Sequence, residues 1–211
     1  MTKLPLNDEL KKIGNFIYEA GILRRTPRSG LWLLGTGTQS VAEHLLRTAY
    51  IGYALAYLTP GAKAEHVVML SIFHDFAEGR TSDLNYMHQR YGRLAEQGAM
   101  RDLAQAVPFG HTIEAYYIEE QARETLEARL TKDADQLEWI ATLREEETKG
   151  NTKATEWIVI SLKRLKTDAG QRVGVILQGL NPDAWWFNAN DEWFVDRKPN
   201  KRGWHGSTKT H

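Results

Sequence analysis

The chain has 211 residues, 27 basic and 27 acidic side chains, and no cysteine. This balance excludes a global electrostatic attraction to nucleic acid or to an anionic membrane. The lack of cysteine excludes disulfides, thiolate metal sites and cysteine nucleophiles. The sequence shows neither a signal peptide nor an apolar run long enough to span a membrane. We therefore expect a cytoplasmic protein with no nucleic-acid or membrane partner.

The hydrophobic pattern is helical almost throughout, which predicts an all-α fold. The first predicted helix is capped by Asn7, ends at Gly21, and carries an apolar stripe made of Leu10, Ile13, Phe16 and Ile17. Residues 24–39 are rich in Gly, Thr, Pro and Arg. Because these residues favour turns and loops, this stretch is predicted to be irregular.

Two further helices are predicted before residue 80. Ser40 and Glu43 have the spacing of a capping box, so a helix is expected to begin there. Pro60 is predicted to open the next helix, since proline is tolerated at the first helical position. Residues 67–73 are apolar nearly all round, which indicates a buried central helix that would hold His74 and Asp75 deep within it.

The second half continues the helical pattern. Residues 83–110 predict short helices and a loop broken at Pro108, and longer helices are expected over 112–130, 131–148, 155–166 and 171–180. Four of the seven tryptophans follow, namely Trp185, Trp186, Trp193 and Trp204. We predict one compact helical bundle over residues 1–180 and a Trp-rich extension over 181–211, whose aromatic rings pack on the core or on a partner subunit.

Two histidines and two aspartates are the chemically most informative residues: His44, His74, Asp75 and Asp135. Nitrogen and oxygen ligands without sulfur suit a divalent metal that keeps open positions for water and a phosphate oxygen. The alternative is that these groups are hydrogen-bonded polar residues of the core. A carboxylate in an apolar segment needs a partner, and Glu78, four residues after His74, would project toward the same site. The pattern therefore favours a metal-dependent phosphohydrolase.

Five blocks of sequence carry a family resemblance: Arg25–Gly30, Ser40–His44, His74–Glu78, Ser82–Asp83 and Lys132–Leu137. They resemble the HD-domain superfamily. More narrowly, they are similar to its branch of small 5′-nucleotidases, which includes the bacterial 5′-deoxynucleotidase and the eukaryotic HD domain-containing protein 2 type. The resemblance covers residues 13–147.

The resemblance implies a single compact HD-domain helical bundle that forms a homodimer, binds one divalent metal ion (Mn, Co, Fe, Zn or Mg) and acts on a small-molecule nucleotide. By matching position, the implied metal ligands are His44, His74, Asp75 and Asp135. Asp133, two residues before Asp135 on a helix, is expected to face elsewhere. The implied catalytic acids are Glu78 and Asp83. Arg25 would contact the phosphate, and Arg28 would help to shape the pocket.

Glu78 is our candidate for the general acid that protonates the leaving oxygen, and Asp83 would orient the attacking water or receive its proton. The sequence leaves these two roles interchangeable. Residue 26 is threonine, where some deoxynucleotidases of this group carry a bulky aromatic residue. If that bulk excludes a ribose 2′-hydroxyl, the preference for deoxyribose stays open here.

The expected activity is hydrolysis of (deoxy)nucleoside 5′-monophosphates to nucleoside and phosphate. Two alternatives stay open. The first is a (deoxy)nucleoside triphosphohydrolase or another HD phosphohydrolase, which would need additional basic residues around the pocket. The second is a catalytically silent HD protein that binds nucleotides.

Overall fold

The computed structural model describes residues 6–197. Between these limits the chain is helical, its β structure being limited to an isolated bridge between Pro27 and Ser40, so the all-α prediction is confirmed. A short 3₁₀ helix occupies Gly21–Arg24. The α-helices are α1 (Leu6–Ala20), α2 (Gly30–Leu34), α3 (Val41–Tyr57), α4 (Ala64–Phe73), α5 (Glu78–Thr81), α6 (Tyr86–Tyr91), α7 (Glu96–Ala106), α8 (Gly110–Ala122), α9 (Leu126–Thr148), α10 (Lys153–Leu162), α11 (Asp168–Gly179) and α12 (Trp193–Asp196).

Helix α9 is the centre of the fold. It packs against α3, α4, α8, α10 and α11, and most of its side chains between Leu130 and Leu143 are buried. Leu55 of α3, Val67 of α4 and Leu137 of α9 share one apolar core. A second apolar cluster, which includes Val41, Phe76 and Met100, lies under α1 and α7. The ends of α3 and α4 and the middle of α9 are thereby fixed by packing.

The capping box at the start of α3 is present as predicted. Glu43 N donates to Ser40 Oγ, and Ser40 N donates to the Glu43 carboxylate at 2.7 Å. The cap at Asn7 is wrong, because α1 already includes Leu6 and Asn7 lies inside it. Leu10 and Ile17 are more than half exposed, so the predicted stripe of α1 is only partly buried, through residues such as Phe16.

The irregular stretch predicted for residues 24–39 contains α2. Leu31 and Leu34 are buried in the main core, so the Gly-Leu-Trp-Leu-Leu run was the signal for this short helix. Gly35, with φ of 87°, ends it in the left-handed conformation that glycine adopts without strain.

The helix predicted to open at Pro60 begins at Ala64 instead. Gly61 has φ of 84°, which places Pro60 and Gly61 in a turn. Between α8 and α9 the break falls at Arg123, with φ of 56°, and not at residues 130 and 131. Thr125 caps α9 by accepting a hydrogen bond from Ala128 N at 3.1 Å. Leu130 and Thr131 are therefore buried inside one continuous helix.

His74 and Asp75 do not lie deep inside a helix, as the apolar run had suggested. Helix α4 ends at Phe73 with His74 as its C-cap. The next backbone bonds span three residues, as in Glu78 N to Asp75 O, so the chain tightens into turns before α5. This change brings the two polar side chains to the end of an apolar helix, where they meet groups from α3 and α9.

The chain divides into two compact units between Gly179 and Leu180. In the second unit, the rings of Trp186, Phe187, Trp193 and Phe194 pack against one another at centroid distances of 5.1–6.2 Å. Trp204 lies outside the described residues. Packing of this segment on the core or on a partner subunit stays a prediction.

Across residues 6–197, no helix is both long enough and apolar enough to cross a membrane.

Candidate metal centre

Four side chains converge on one point in the first unit. Nε2 of His44 lies 3.3 Å from Nε2 of His74 and 3.3 Å from an oxygen of Asp135. One oxygen of Asp75 lies 3.2 Å from Nε2 of His74 and 3.5 Å from Nε2 of His44. The structure thus brings together all four residues that the sequence nominated as ligands. His44, His74 and Asp75 alone offer three ligand atoms within 4.8 Å of one another.

Each of these side chains is held by a rigid element. His44 lies in the first turn of α3, directly after the capping box. His74 and Asp75 follow the last turn of α4, and Asp135 projects from the middle of α9. Because α3, α4 and α9 pack on one another, ligands that are 91 positions apart in sequence face the same point.

The outer nitrogens of both imidazoles are already occupied. Nδ1 of His44 lies 2.7 Å from the Glu138 carboxylate, and Nδ1 of His74 lies 2.8 Å from the carbonyl oxygen of Ser71. Both partners are acceptors, so each Nδ1 carries the proton. In the neutral form of the rings, the inner Nε2 atoms present lone pairs toward each other and toward two carboxylates. This donor set fits a divalent cation, and the acceptors behind it are the usual means of orienting metal-binding histidines.

The electrostatics of the ligands agree with that fit. Burial alone would raise the pKa of Asp75 and of Asp135, but His74 and Lys132, respectively, are the main groups that hold these values well below the ordinary range. Both carboxyls are therefore anionic at neutral pH. Burial would lower the pKa of His74, whereas the adjacent Asp75 raises it. A proton and a metal ion consequently compete for the same ring nitrogens.

Glu138 extends the centre outward. Burial would raise the pKa of this fully buried carboxyl, but His44 and then Arg47 lower it to about 2. Arg47 Nε donates to Glu138 at 2.8 Å and Arg47 Nη1 donates to Glu145 at 2.6 Å. Glu138 is thus an anion held between an imidazole and a guanidinium. Sequence reasoning missed it, although its position three residues after Asp135 places it on the same side of α9.

Arg28 is the cation beside the ligands. Its Nη1 donates to Asp75 at 3.1 Å and lies 4.0 Å from Glu78, and its Nε lies 3.9 Å from Asp83. The Arg28 side chain is largely buried. Arg25, which the sequence had nominated as the phosphate contact, is exposed and does not line the cavity at the centre. The structure brings Arg28, not Arg25, to the site.

Glu78 and Asp83 also lie at the centre, in different environments. Burial, reinforced by Asp75, raises the pKa of Glu78 to about 10, and its Oε2 has no hydrogen-bond partner among residues 6–197. Asp83 accepts a hydrogen bond from Ser29 N at 2.7 Å. Burial raises the pKa of Asp83 as well, while Arg28 and the Ser29 hydrogen bond oppose that rise.

A cavity of about 660 Å³ opens beside the ligands. Asp75, Glu78, Asp83 and Asp135 line one part of it, together with Arg28. Tyr86, Gln136 and Trp139 are also among its lining residues. Gln136 Oε1 and Trp139 Nε1 are buried and find no hydrogen-bond partner within the described part of the chain. These two atoms are unsatisfied polar groups beside the cavity.

Asp133 faces away from the four ligands. Its carboxylate accepts hydrogen bonds from Lys166 N at 2.9 Å and from Thr167 N and Thr167 Oγ1 at 2.7 Å each. It holds the segment between α10 and α11 against α9.

Thr26 is buried, and its hydroxyl donates a hydrogen bond to Ile22 O at 3.2 Å.

The comparisons agree with this geometry. The family model "HD domain" matches residues 20–174. The chain belongs to the HD domain family. Through this family and its His–Asp cluster, it is an HD-domain phosphohydrolase of the metal-dependent kind.

One curated protein and two solved structures are similar to this chain. The chain is 26% identical over 140 residues to the 5′-deoxynucleotidase hdd1 of Schizosaccharomyces pombe, an alignment that covers 61% of this chain and 69% of the relative. A conserved hypothetical protein of Pyrococcus furiosus superposes with a TM-score of 0.68 at 28% identity, covering 79% of this chain and 99% of the other. A predicted metal-dependent phosphohydrolase of Magnetospirillum magnetotacticum has a TM-score of 0.64 at 22% identity, covers 83% and 92% of the two chains, and shares the fold.

Proposed function

We propose that this HD-domain protein is a 5′-nucleotidase that hydrolyses (deoxy)nucleoside 5′-monophosphates to nucleoside and phosphate. The observation that carries the proposal is the convergence of two buried imidazole Nε2 atoms with the carboxylates of Asp75 and Asp135. These two carboxylates, together with Arg28 and Glu78, line a cavity of about 660 Å³. The similarity to a fission-yeast 5′-deoxynucleotidase supports a nucleotide as substrate.

His44, His74, Asp75 and Asp135 would hold one divalent ion. When bound, such an ion supplies Lewis-acid polarisation of the phosphoryl group and lowers the pKa of a water molecule. Nitrogen and oxygen donors accept Mn, Fe, Co, Zn or Mg. Two anionic carboxylates and two neutral imidazoles balance the charge of the ion, so a phosphate dianion meets no excess of negative charge.

Arg28 orients the phosphate. A guanidinium presents parallel N–H groups that match two phosphate oxygens, and its charge is permanent. Its contacts with Asp75 and Asp83 fix the plane of the group before substrate arrives. Because the side chain is largely buried, little conformational entropy is lost on binding.

Glu78 donates the proton that the leaving oxygen needs. Its pKa of about 10, caused mainly by burial and by Asp75, keeps the carboxyl protonated at neutral pH, as a general acid requires. Asp83 is tied to Ser29 through two hydrogen bonds, one to its carboxylate and one to its carbonyl oxygen. This supports a role for Asp83 in positioning Arg28 and the attacking water, with Glu78 as the donor.

The nucleoside half of the substrate would occupy the part of the cavity lined by Tyr86, Gln136 and Trp139. Tyr86 and Trp139 bring aromatic rings to this lining, and an aromatic ring can stack on a base. Stacking of this kind would favour a nucleoside 5′-phosphate over a simple phosphate ester.

The test is phosphate release from nucleoside 5′-monophosphates with Mn²⁺, Co²⁺ or Mg²⁺, compared with p-nitrophenyl phosphate as a non-nucleoside ester. We expect release that depends on added metal and is abolished in His74→Ala. Metal-loaded protein that releases phosphate from no nucleotide would refute the proposal. An equal kcat/KM for the simple ester would refute the nucleotide assignment.

A further inference from the structure

The cavity at the metal centre has a second set of charges that hydrolysis of a monophosphate does not use. Apart from Arg28, its lining includes Arg123, Arg129, Lys132, Lys163, Arg164 and Lys166. The cavity lining has seven basic and five acidic side chains, which is an excess of two basic side chains in a chain that is neutral as a whole. The cations other than Arg28 come from two segments, the α8–α9 junction with the start of α9, and the loop between α10 and α11.

Four of these cations have no acidic partner in the part of the chain that the structure describes, and one of the four, Arg164, contacts Tyr86 instead. Arg123 lies 3.8 Å from Glu120, and Lys132 lies 2.5 Å from Asp135. Arg164 Nη1 donates to the Tyr86 hydroxyl at 2.8 Å, and its guanidinium lies 5.0 Å from the centre of that ring. No ion pair within residues 6–197 involves the side chains of Arg129, Lys163 or Lys166. We call these three residues the cationic rim.

The loop that presents Lys163 and Lys166 is built into the fold. Asp133, 1% exposed, accepts hydrogen bonds from the backbone of Lys166 and Thr167. Leu165, between the two lysines, is buried in the main core. Gly170 permits this close approach, since a Cβ there would lie 2.3 Å from an Asp133 oxygen. The backbone positions of both lysines are therefore fixed beside the cavity.

The rim is offset from the scissile phosphate. Arg129 precedes Asp135 by six residues on α9, which corresponds to about 9 Å along the helix axis. Arg28 and the metal ligands already serve the phosphate to be hydrolysed. Arginine and lysine side chains without an acidic partner in the lining of the same cavity match a further phosphate on the same molecule.

Building on the proposed function, we infer that the preferred substrate is a nucleotide with a further phosphate group, which the cationic rim binds while the terminal phosphate at the metal centre is hydrolysed. The further phosphate has two possible sources, a 3′-phosphate on the sugar or the α-phosphate of a 5′-diphosphate. In both, water forms the new P–O bond, the bond from phosphorus to the leaving oxygen breaks, and that oxygen takes the proton of Glu78. Both substrates release inorganic phosphate. The second product is a nucleoside 3′-phosphate from the 3′,5′-bisphosphate and a nucleoside 5′-monophosphate from the 5′-diphosphate.

The experiment compares 5′-AMP, ADP and adenosine 3′,5′-bisphosphate with the Mn²⁺-loaded wild type, a Lys163→Gln/Lys166→Gln variant and an Arg129→Gln variant. The control Lys12→Gln/Lys153→Gln removes two exposed charges away from the described cavities. We expect wild type to favour one of the doubly phosphorylated nucleotides. We expect rim variants to lose roughly tenfold or more in that preference relative to 5′-AMP, and the control to retain it. The favoured nucleotide identifies the source of the further phosphate.

A second measurement does not depend on turnover. Calorimetric titration of metal-free protein with the same three nucleotides, in EDTA, reports binding alone. We expect tighter binding of a doubly phosphorylated nucleotide, lost in the rim variants and weakened by salt. Equal affinities for all three nucleotides, or equal effects of rim and control variants, would overturn the inference. If no nucleotide is hydrolysed, the proposed function fails, and this titration still decides whether the rim binds phosphate.

Discussion

The carboxylate of Glu138 lies 2.7 Å from Nδ1 of His44, on the side of the ring opposite the nitrogen that faces His74 and Asp135. Glu138 therefore decides which nitrogen of His44 is free to bind a metal. Its second oxygen accepts from Arg47 and Gln39, so the carboxylate cannot turn away. Acceptors in this position are a usual feature of metal sites, because they orient the ligand and raise its basicity.

We expect Glu138→Gln to lower the affinity for Mn²⁺ or Co²⁺ by about 10- to 100-fold. The amide keeps the shape but removes the charge that favours the Nδ1–H tautomer of His44. Metal affinity, measured by competition with a chelator, checks this directly. Glu145→Gln is the matched control, since Glu145 also pairs with Arg47 but does not contact His44. Equal losses in the two variants would mean that Glu138 acts only through Arg47.

Substitution of the two arginines that the sequence nominated for substrate binding should have clearly different effects on kcat/KM. Arg28→Lys keeps a charge but loses the forked donors, and we expect kcat/KM to fall by about 100-fold. Arg25→Lys should stay within about twofold of wild type, because Arg25 is exposed and does not line the cavity. Steady-state kinetics on a 5′-monophosphate make the comparison. The reverse order would restore Arg25 as the phosphate contact.

Glu78→Gln should abolish proton donation and spare metal binding. We expect kcat to fall by about 10²- to 10⁴-fold, with metal content unchanged. Oxygens of Asp75 and Asp135 lie within 4.0 Å of Nε2 of His44 and His74, whereas no oxygen of Glu78 does. A substrate whose leaving group needs no proton, such as p-nitrophenyl phosphate, should lose much less. If both substrates lost rate equally, Glu78 would have a role other than general acid.

The buried side chain of Glu120 predicts how the stability of the fold changes with pH. This side chain is 1% exposed, and burial raises its pKa despite opposition from His74, Lys132 and Arg123. A carboxyl whose pKa is raised on folding contributes stability below its unfolded pKa, and that contribution is lost as pH rises through the folded value. We therefore expect Glu120→Gln to increase the free energy of unfolding at pH 7 by about 1 kcal/mol, which corresponds to a rise of a few degrees in Tm. At pH 4 the two proteins should melt nearly together, and a larger gain at pH 4 than at pH 7 would contradict this assignment.

Gly170→Ala tests how closely the loop between α10 and α11 is held. The added methyl group would lie 2.3 Å from an oxygen of the buried Asp133, so we expect a loss of about 1–3 kcal/mol in the free energy of unfolding. Gly14→Ala is the control, since a methyl group added at Gly14 would meet no atom within 4 Å. That variant should gain up to about 1 kcal/mol from helix propensity. Urea denaturation of both variants distinguishes the outcomes.

Local patterns predicted the helical class and the cap at Ser40 because they depend on neighbours in sequence. The boundaries at Pro60 and Arg123 were missed because positive φ angles, at Gly61 and at Arg123 itself, decide them. The proposed ligand residues carry a recognisable motif, and the structure brings them together. Arg28 was ranked below Arg25 because the turn that buries one and exposes the other depends on tertiary contacts, such as Ser29 with Asp83. The cationic rim was invisible in sequence, since packing alone brings Lys163 and Lys166 beside a cavity that also contains Asp135.

The break of α4 just before His74 has a consequence for folding. The four proposed ligands lie on segments that join only in the native state, and an ion that connects His44 with Asp135 would close a chain loop of about 90 residues. It would act as a reversible cross-link, present only when the protein is folded. Metal concentration would then set the thermal stability of the chain as directly as its activity, and chelation would loosen the end of α4 before it unfolded the rest.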